Sequence, residues 1–268
     1  MRYAAGVDVG STYTKAVILD GADRIAGLAI EPTGFQLTGV SERVLERAAA
    51  AAGIGRGDLG YVVATGFGRH QATGSDLQVT DLTAAARGTG LLFPGTRTVL
   101  DVGGQTMKAS RVGEDRKVKS FRLNDKCAAG TGAFLEKTAR YMGYSTAEIG
   151  PLVATSKEAV TISGVCAVFA ESEVINQLSQ GAAPADIMYG AIVSLVGRSV
   201  QLLKRVRLEP ELTLIGGILR FERMAEVIRR ELDTAVNVPP PDHVQFVSAL
   251  GAAVLAHRRL TAAGAAAA

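Results

Sequence analysis

Two stretches of this sequence share one plan, and that plan restricts the fold more than any other feature. Residues 6–15 read GVDVGSTYTK, and residues 100–108 read LDVGGQTMK. Each is an apolar run with an acidic residue near its end, a turn that contains glycine, and a second run that returns. Such a pattern predicts a β-hairpin. Its repetition predicts two domains of like topology.

Strands and helices alternate around both hairpins, which is typical of an α/β protein. We expect a first domain over residues 1–95 and a second over residues 96–246. The stretch NVPPPDH (237–243) breaks the chain before a final predicted helix, 247–260, which we expect to pack back on the first domain. With 268 residues, 47% of them hydrophobic, the chain is long enough for two such domains.

Charge and hydropathy exclude two classes of protein. The formal net charge is only +3, and the basic clusters RKVKSFR and KRVR are short and lack interleaved aromatic residues. We therefore expect no nucleic-acid partner. No apolar run reaches membrane-spanning length, and the first residues lead into a strand pattern rather than a signal peptide. We expect a cytoplasmic protein without a membrane partner.

The first glycine turn has the composition of an anion-binding site. Gly10 permits a tight turn whose amide groups face an anion, and the carboxylate of Asp8 suits a magnesium ion. An ordinary hairpin turn remains the alternative. The side chains that add hydroxyl donors or a positive charge are Ser11, Thr12, Thr14 and Lys15.

A second and a third glycine turn repeat this composition. The second runs from Asp101 to Gln105 and offers the amides of Gly103 and Gly104, with Asp101 as another candidate for magnesium. The third, Gly216-Gly217, follows the apolar strand LTLI. Phosphate-loop and dinucleotide-binding glycine motifs do not occur in the sequence.

The two cysteines lie ahead of predicted helices, Cys127 in NDKCAAGTG and Cys166 in SGVCAVFAE. Iron and zinc favour four thiolates, and one chain supplies two. A two-fold dimer supplies four around its axis, where helix N-termini face an anionic cluster. Two inert core thiols remain the alternative.

Taken together, these motifs resemble one family over nearly the whole chain, from about residue 3 to residue 257. The matching segments are GVDVGSTYTK, LDVGGQTMK, NDKCAAGTGAFLE, SGVCAVFAESEVI, LIGGI and SALGAAVLA. They resemble the ATPase activators of 2-hydroxyacyl-CoA dehydratases and the ATP-hydrolysing subunits of benzoyl-CoA reductase. The resemblance implies two ribonuclease-H-like domains of the acetate kinase/sugar kinase/Hsp70/actin superfamily, with a nucleotide between them.

The resemblance also implies cofactors and partners. One [4Fe-4S] cluster bridges a homodimer, or a pair of homologous ATPase subunits, and ATP or ADP binds with Mg²⁺. Electrons pass from a ferredoxin-type or flavodoxin-type donor to an acyl-CoA dehydratase or reductase component. The cluster ligands that the resemblance implies are Cys127 and Cys166. The catalytic residues that it implies are Asp8, Asp101 and Gln105. The nucleotide contacts that it implies are Asp8 to Lys15, Asp101 to Gln105, Gly130, Thr131, Gly132, Gly216 and Gly217.

Two positions depart from the family pattern. Thr106 replaces the second acid of D-x-G-G-Q-D, and Ala85 stands where the family often has a histidine. These departures fit a component of a larger reductase slightly better than a stand-alone activator. Two other functions are the alternatives. A small-molecule kinase of the same superfamily has no use for the cysteines, and a thiol enzyme lacks a histidine or asparagine partner placed by motif.

Overall fold

The computed structural model describes residues 3–124, 131–162 and 167–266. The chain forms two compact units. The first comprises Met1–Gly95, Val112–Val118 and Gln245–Ala268, and the second comprises Thr96–Arg111 and Lys119–Val244. The short segment Val112–Val118 thus groups with the first unit, although it lies beyond residue 95 in the sequence.

The first unit is built on a five-stranded mixed sheet. Strand β1 pairs antiparallel with β2 and parallel with β4, so it lies at the centre of the order β3-β2-β1-β4-β5. Strand β3 is antiparallel to β2, and β5 is parallel to β4. The elements are β1 (Tyr3–Val9), β2 (Tyr13–Leu19), β3 (Ile25–Pro32), α1 (Leu37–Ala51), β4 (Leu59–Thr65), β5 (Leu77–Gln78) and α2 (Asp81–Leu92).

The second unit repeats this sheet with the same connectivity. Strand β6 is central, antiparallel to β7 and parallel to β9, in the order β10-β9-β6-β7-β8. The elements are β6 (Thr98–Val102), β7 (Met107–Val112), β8 (Val118–Asn124), α3 (Gly132–Tyr141), α4 (Ile149–Ala154), α5 (Ala167–Ser179), α6 (Pro184–Val206), β9 (Leu212–Ile215), α7 (Glu222–Leu232) and β10 (Val236–Asn237). The like topology predicted from the repeated hairpin is therefore confirmed.

Helix α8 (Val247–Ala266) is the last element and belongs to the first unit. It is six residues longer than the predicted helix 247–260. Its alanines Ala249, Ala252, Ala253 and Ala256 are fully buried because α8 packs against α2 and the strands of the first sheet. Among the described ranges, no helix is both long enough and apolar enough to span a bilayer.

The first sheet is covered on both faces, which explains the apolar character of β1. Val7 and Val9 pack with Val44 of α1, while Ala4 packs with Ala252 of α8. Successive side chains of a strand point to opposite faces, so one strand supplies both cores. The second unit has one large core built from its sheet and helices, with Leu195 of α6 among its fully buried side chains.

Candidate functional site

The first glycine turn joins β1 to β2 as a short hairpin. The N–H of Gly10 donates to the carbonyl oxygen of Tyr13 at 3.2 Å. Ser11 is exposed and Thr12 is half-buried, so their side chains are accessible at the tip of the turn. Gly10, Ser11 and Thr12 thus lie on one tight turn at the end of the central strand, whereas Thr14 and Lys15 belong to β2.

Thr14 lies beneath this turn. Its side chain is fully buried, and its hydroxyl lies 3.0 Å from the hydroxyl of Thr33. The Thr33 hydroxyl in turn donates to the carbonyl oxygen of Gly10 at 2.8 Å, and the Thr33 N–H donates to the carbonyl of Thr12 at 2.9 Å. Because its hydroxyl is engaged inside the protein, Thr14 braces the turn from below in this conformation.

Asp8 and Lys15 are neighbours across the hairpin. They are paired in the strand register, and the Nζ of Lys15 donates to Oδ2 of Asp8 at 3.0 Å. The side chains are only 11% and 15% exposed, so little solvent screens this ion pair. Asp8 therefore forms an ion pair with Lys15 and fixes the position of its ammonium group beside the turn.

The second turn, between β6 and β7, has the same construction. The N–H of Gly103 donates to the carbonyl oxygen of Thr106 at 2.9 Å, and Asp101 pairs in register with Lys108. Gln105 is exposed at the tip. Thr106 closes the hairpin through its backbone carbonyl, which any residue provides, so the departure from the family acid at this position leaves the turn intact.

The start of helix α3 is bonded directly to this second turn. The N–H of Gly132 donates to the carbonyl oxygen of Gly103 at 2.9 Å, and the N–H of Ala133 donates to that of Gly104 at 2.7 Å. Thr131, which precedes the helix, is fully buried. The first amides of α3 are therefore engaged within the protein, and the helix begins in contact with the turn.

The third glycine turn has a counterpart that the sequence analysis did not single out. Gly216 follows β9 with a left-handed φ of +103°, and Gly66 follows β4 with a φ of +89°. A Cβ on Gly216 would lie 2.3 Å from the Val102 carbonyl oxygen and 2.9 Å from an Asp101 oxygen. A Cβ on Gly66 would lie 2.3 Å from Oδ1 of Asp8. The signal for Gly66 was present, since it ends a strand at the position equivalent to Gly216.

Each unit thus places a glycine against the carboxylate-bearing end of its central strand. Gly216 is followed by a 3-10 turn, Gly217–Arg220, and the N–H of Leu219 donates to the Gly216 carbonyl at 3.0 Å. The equivalent residue, Gly66, lies close to Asp8 as Gly216 lies close to Asp101. In each sheet, the hairpin turn and the left-handed glycine therefore both lie next to the aspartate of the central strand.

Three of the predicted site residues, Cys127, Gly130 and Cys166, lie outside the described residues. Within residues 3–124, 131–162 and 167–266, no group of three or more histidine, cysteine, aspartate or glutamate side chains could hold a metal ion. Ala85, the second departure from the family pattern, is buried in α2.

The repeated sheet with its paired turns defines a class, the two-domain ribonuclease-H-like proteins that include sugar kinases, Hsp70 and actin. A glucokinase from Streptomyces griseus has this fold at 16% sequence identity, with a TM-score of 0.58 over 96% of this chain and 99% of its own. Within that class, the model of the BadF/BadG/BcrA/BcrD ATPase family matches residues 5–256, and this chain belongs to that family.

Characterised relatives cover almost the entire chain. The 2-hydroxyisocaproyl-CoA dehydratase activator of Clostridioides difficile is 39% identical over 254 residues, which is 95% of this chain and 94% of the activator. The solved structure of that activator type from Clostridium difficile, with bound ADPNP, has a TM-score of 0.92 and 36% identity over 98% of this chain and 97% of its own. A benzoyl-CoA reductase component of Thauera aromatica is 32% identical over 95% of this chain and 93% of that component.

Proposed function

We propose that this protein is an ATPase that couples ATP hydrolysis to the delivery of low-potential electrons to an acyl-CoA dehydratase or reductase component. The observation that carries the proposal is the pair of matched turns, each with an aspartate at the end of a central strand and a left-handed glycine against it. The solved relative at 36% identity binds an ATP analogue, which supports nucleotide binding by this chain.

The turns are suited to bind phosphate groups. Backbone amides at a tight glycine turn form an anion-binding concavity, and the exposed side chains of Ser11 and Gln105 lie at the two tips. We propose that Gln105 orients the water molecule that attacks in ATP hydrolysis. Lys15, held by Asp8, supplies a fixed positive charge. The nucleotide contacts that we propose are Gly10, Ser11, Thr12, Lys15, Gly103, Gly104, Gly216 and Gly217.

Asp8 and Asp101 fit a magnesium ion in their chemistry. Mg²⁺ binds oxygen ligands, keeps several waters and uses one or two carboxylates together with the phosphates of the nucleotide. Both aspartates end central strands beside the glycine turns, where a nucleotide phosphate would lie. When bound, Mg²⁺ neutralises charge on the phosphate groups. The aspartates would hold the ion directly or through its waters.

Cys127 and Cys166 are the proposed ligands of one [4Fe-4S] cluster. The chain has two cysteines and a cluster takes four thiolates, so two chains complete one site. We therefore propose a homodimer, or a pair with a homologous ATPase subunit. When bound, the cluster supplies a one-electron carrier. Cysteines stay reduced in the cytoplasm, where we place the protein with a ferredoxin-type or flavodoxin-type donor.

A dehydratase activator is the form that we favour, because the activator from Clostridioides difficile is 39% identical and the benzoyl-CoA reductase component is 32% identical. The alternative function, a small-molecule kinase, is supported by the shared fold alone, since the glucokinase is only 16% identical. The characterised relatives are activators and a reductase component, and they do not support a kinase.

The proposal is tested by anaerobic purification followed by iron and sulfide analysis and electron paramagnetic resonance. We expect about four irons per dimer and a spectrum typical of a reduced [4Fe-4S] cluster. Cys127→Ser and Cys166→Ser should each abolish the cluster. Glu46→Gln, at an exposed position on α1, serves as the control and should retain the iron. A Cys127→Ser protein with full iron content would exclude the shared cluster.

A further inference from the structure

Thr65, the last residue of β4, has a buried hydroxyl to which the site described above gives no role. Its side chain is fully buried, and its Oγ1 has no hydrogen-bond partner in the part of the chain that the structure describes. Buried polar side chains in proteins nearly always have a partner, and one without a partner costs free energy. Within the protein, this hydroxyl gains a hydrogen bond only if a neighbouring acceptor moves toward it or the threonine side chain rotates.

Asp8 is the acidic residue beside Thr65 in the first sheet. The two residues are partners in the parallel register of β1 and β4. Partners on adjacent strands point to the same face of a sheet, and such strands lie about 4.8 Å apart. The face is the one that α8 covers, since Ala4 and Val63, an even number of residues earlier on these strands, pack with Ala252. The Thr65 hydroxyl and the Asp8 carboxylate therefore share one buried face.

The carboxylate of Asp8 lies between β2 and β4, with one oxygen toward each strand. Lys15 on β2 is the other register partner of Asp8, and its Nζ donates to Oδ2 at 3.0 Å. The second oxygen, Oδ1, lies on the β4 side, where a Cβ on Gly66 would be only 2.3 Å away. Gly66 directly follows Thr65. Asp8 thus has a cationic donor on β2 and a hydroxyl that could become its second donor on β4.

We propose that Thr65 is a positioning residue for Asp8. When the ammonium group of Lys15 turns from Asp8 toward a phosphate group of the nucleotide, the hydroxyl of Thr65 donates to Oδ1 of Asp8 and keeps the carboxylate in place beside the turn. Rotation of Thr65 about its Cα–Cβ bond moves the hydroxyl between staggered positions, so the backbone of β4 need not move. The inference rests on the proposed function, which assigns Lys15 to the nucleotide and Asp8 to Mg²⁺.

Thermal unfolding and calorimetric titration with ADP and Mg²⁺ test this exchange of partners in the full-length protein. Thr65→Val nearly keeps the shape of the side chain and removes the hydroxyl. Without nucleotide, its unfolding midpoint should equal or exceed that of the wild type, because the group removed is buried and unpaired. The Kd of ADP should rise about tenfold, because a hydrogen bond to a charged group that forms only with nucleotide bound contributes about this factor. Thr65→Ser keeps a hydroxyl and should recover most of the affinity.

A double-mutant cycle and a matched control assign the effect to Asp8. In an Asp8→Ala background, Thr65→Val should leave the Kd of ADP unchanged, because the acceptor of the hydroxyl is gone. Thr98→Val is the control, since the Thr98 hydroxyl is also buried but bonds the N–H and the carbonyl oxygen of Glu209 at 2.9 and 2.7 Å. This variant should have a lower unfolding midpoint and an unchanged Kd, the opposite of Thr65→Val.

A wild-type Kd in Thr65→Val, or the same rise in Kd with and without Asp8, overturns the positioning role. If Thr65→Val does not fold, Thr65→Ala compared with Thr65→Ser makes the same test, since these two variants differ only in the hydroxyl. Wild-type protein that binds ADP but does not hydrolyse ATP contradicts the proposed function, and the binding measurements still decide the role of Thr65. Wild-type protein that binds no ADP overturns both.

Discussion

The peptide N–H of Gly132 donates to the carbonyl oxygen of Gly103 at 2.9 Å, and this bond joins the first turn of α3 to the second glycine turn. Ala133 and Gly104 make a second bond of the same kind at 2.7 Å. Cys127 lies only five residues before Gly132 in the sequence. We therefore expect a change in the turn to reach the start of α3 through these two hydrogen bonds.

Gly132→Ala tests whether this connection links the nucleotide to the cluster. An added Cβ would lie 3.2 Å from the Gly103 carbonyl oxygen and 3.2 Å from Cα of Gly104, so the helix and the turn must separate slightly. In the wild type we expect an iron chelator to remove the cluster at different rates with ADP, with ATP and without nucleotide. In Gly132→Ala this difference should shrink.

The control for this experiment is Gly197→Ala within α6, where an added Cβ meets nothing within 4 Å. It should keep the nucleotide dependence and gain roughly 0.5–1 kcal/mol in stability, since alanine is the better helix former. Identical chelation rates in all nucleotide states of the wild type, even with the partner enzyme present, would remove the coupling from the proposed function.

Gly66→Ala and Gly216→Ala test the left-handed glycines that face the two aspartates. Both have positive φ, and both would place a Cβ 2.3 Å from a neighbouring oxygen. We expect a cost of about 1–2 kcal/mol for the backbone and about 1–3 kcal/mol more for the forced contact. ATP turnover should fall strongly, because the aspartate end of the central strand must move. Thermal unfolding and phosphate release provide the two measurements.

Gly53→Ala and Gly181→Ala are matched controls for that pair. Each glycine has a positive φ, +70° and +83°, and open space where a Cβ would lie. These two variants should lose only the stability that the strained backbone costs, about 1–2 kcal/mol, and their ATP turnover should be unchanged. If the control variants lose as much ATP turnover as Gly66→Ala and Gly216→Ala, the close approach of these glycines to the aspartates is not important for function.

Asp8→Asn removes one proposed magnesium ligand with almost no change in volume. Lys15 then loses its ion-pair partner at a site that is 11–15% exposed, which should cost about 1–3 kcal/mol of stability. ATP turnover should fall on the order of a hundredfold, because removing one electrostatic contact to a transition state usually lowers the rate by about this factor. The iron content should remain. Glu46→Gln, at an exposed position on α1, should match the wild type in turnover.

The stability of the first unit should depend on pH through Glu31. Hydrogen bonds from Arg47 and then Arg43, at 2.9 and 3.2 Å, hold the pKa of Glu31 below its ordinary value. A carboxyl with a lowered folded-state pKa stabilises fully above its unfolded pKa of about 4.3, and that contribution is lost as the pH falls through the folded value.

Urea unfolding of wild type and Glu31→Gln measures this effect. Both arginines are more than half exposed, so we expect a difference of only about 0.5 kcal/mol at neutral pH. The difference should shrink below about pH 4. Glu46→Gln, at an exposed position on α1, is the control. A difference between Glu31→Gln and wild type that persists unchanged in acid contradicts the ion-pair account.

Periodicity and glycine placement predicted much of the secondary structure. The hairpins β1–β2 and β6–β7 and the helices α3 and α5, which follow the two cysteines in the sequence, lie where the patterns place them, because each has a clear period of two or of about 3.6 residues. Helices α2 and α4 were not predicted. Helix α2 is rich in alanine and glycine, and its buried face exists only because α8 packs against it.

The repeat, the two acids and the two cysteines can be read from the amino-acid sequence alone, because they depend on residue type and local turn preference. Which groups meet depends on how the chain folds in three dimensions. The tertiary structure placed Thr14 under the turn, Gly66 against Asp8, and the amide of Gly132 on the carbonyl of Gly103. These contacts join segments far apart in the chain, and only the register of paired strands and the packing of helices on them bring such segments within hydrogen-bond distance.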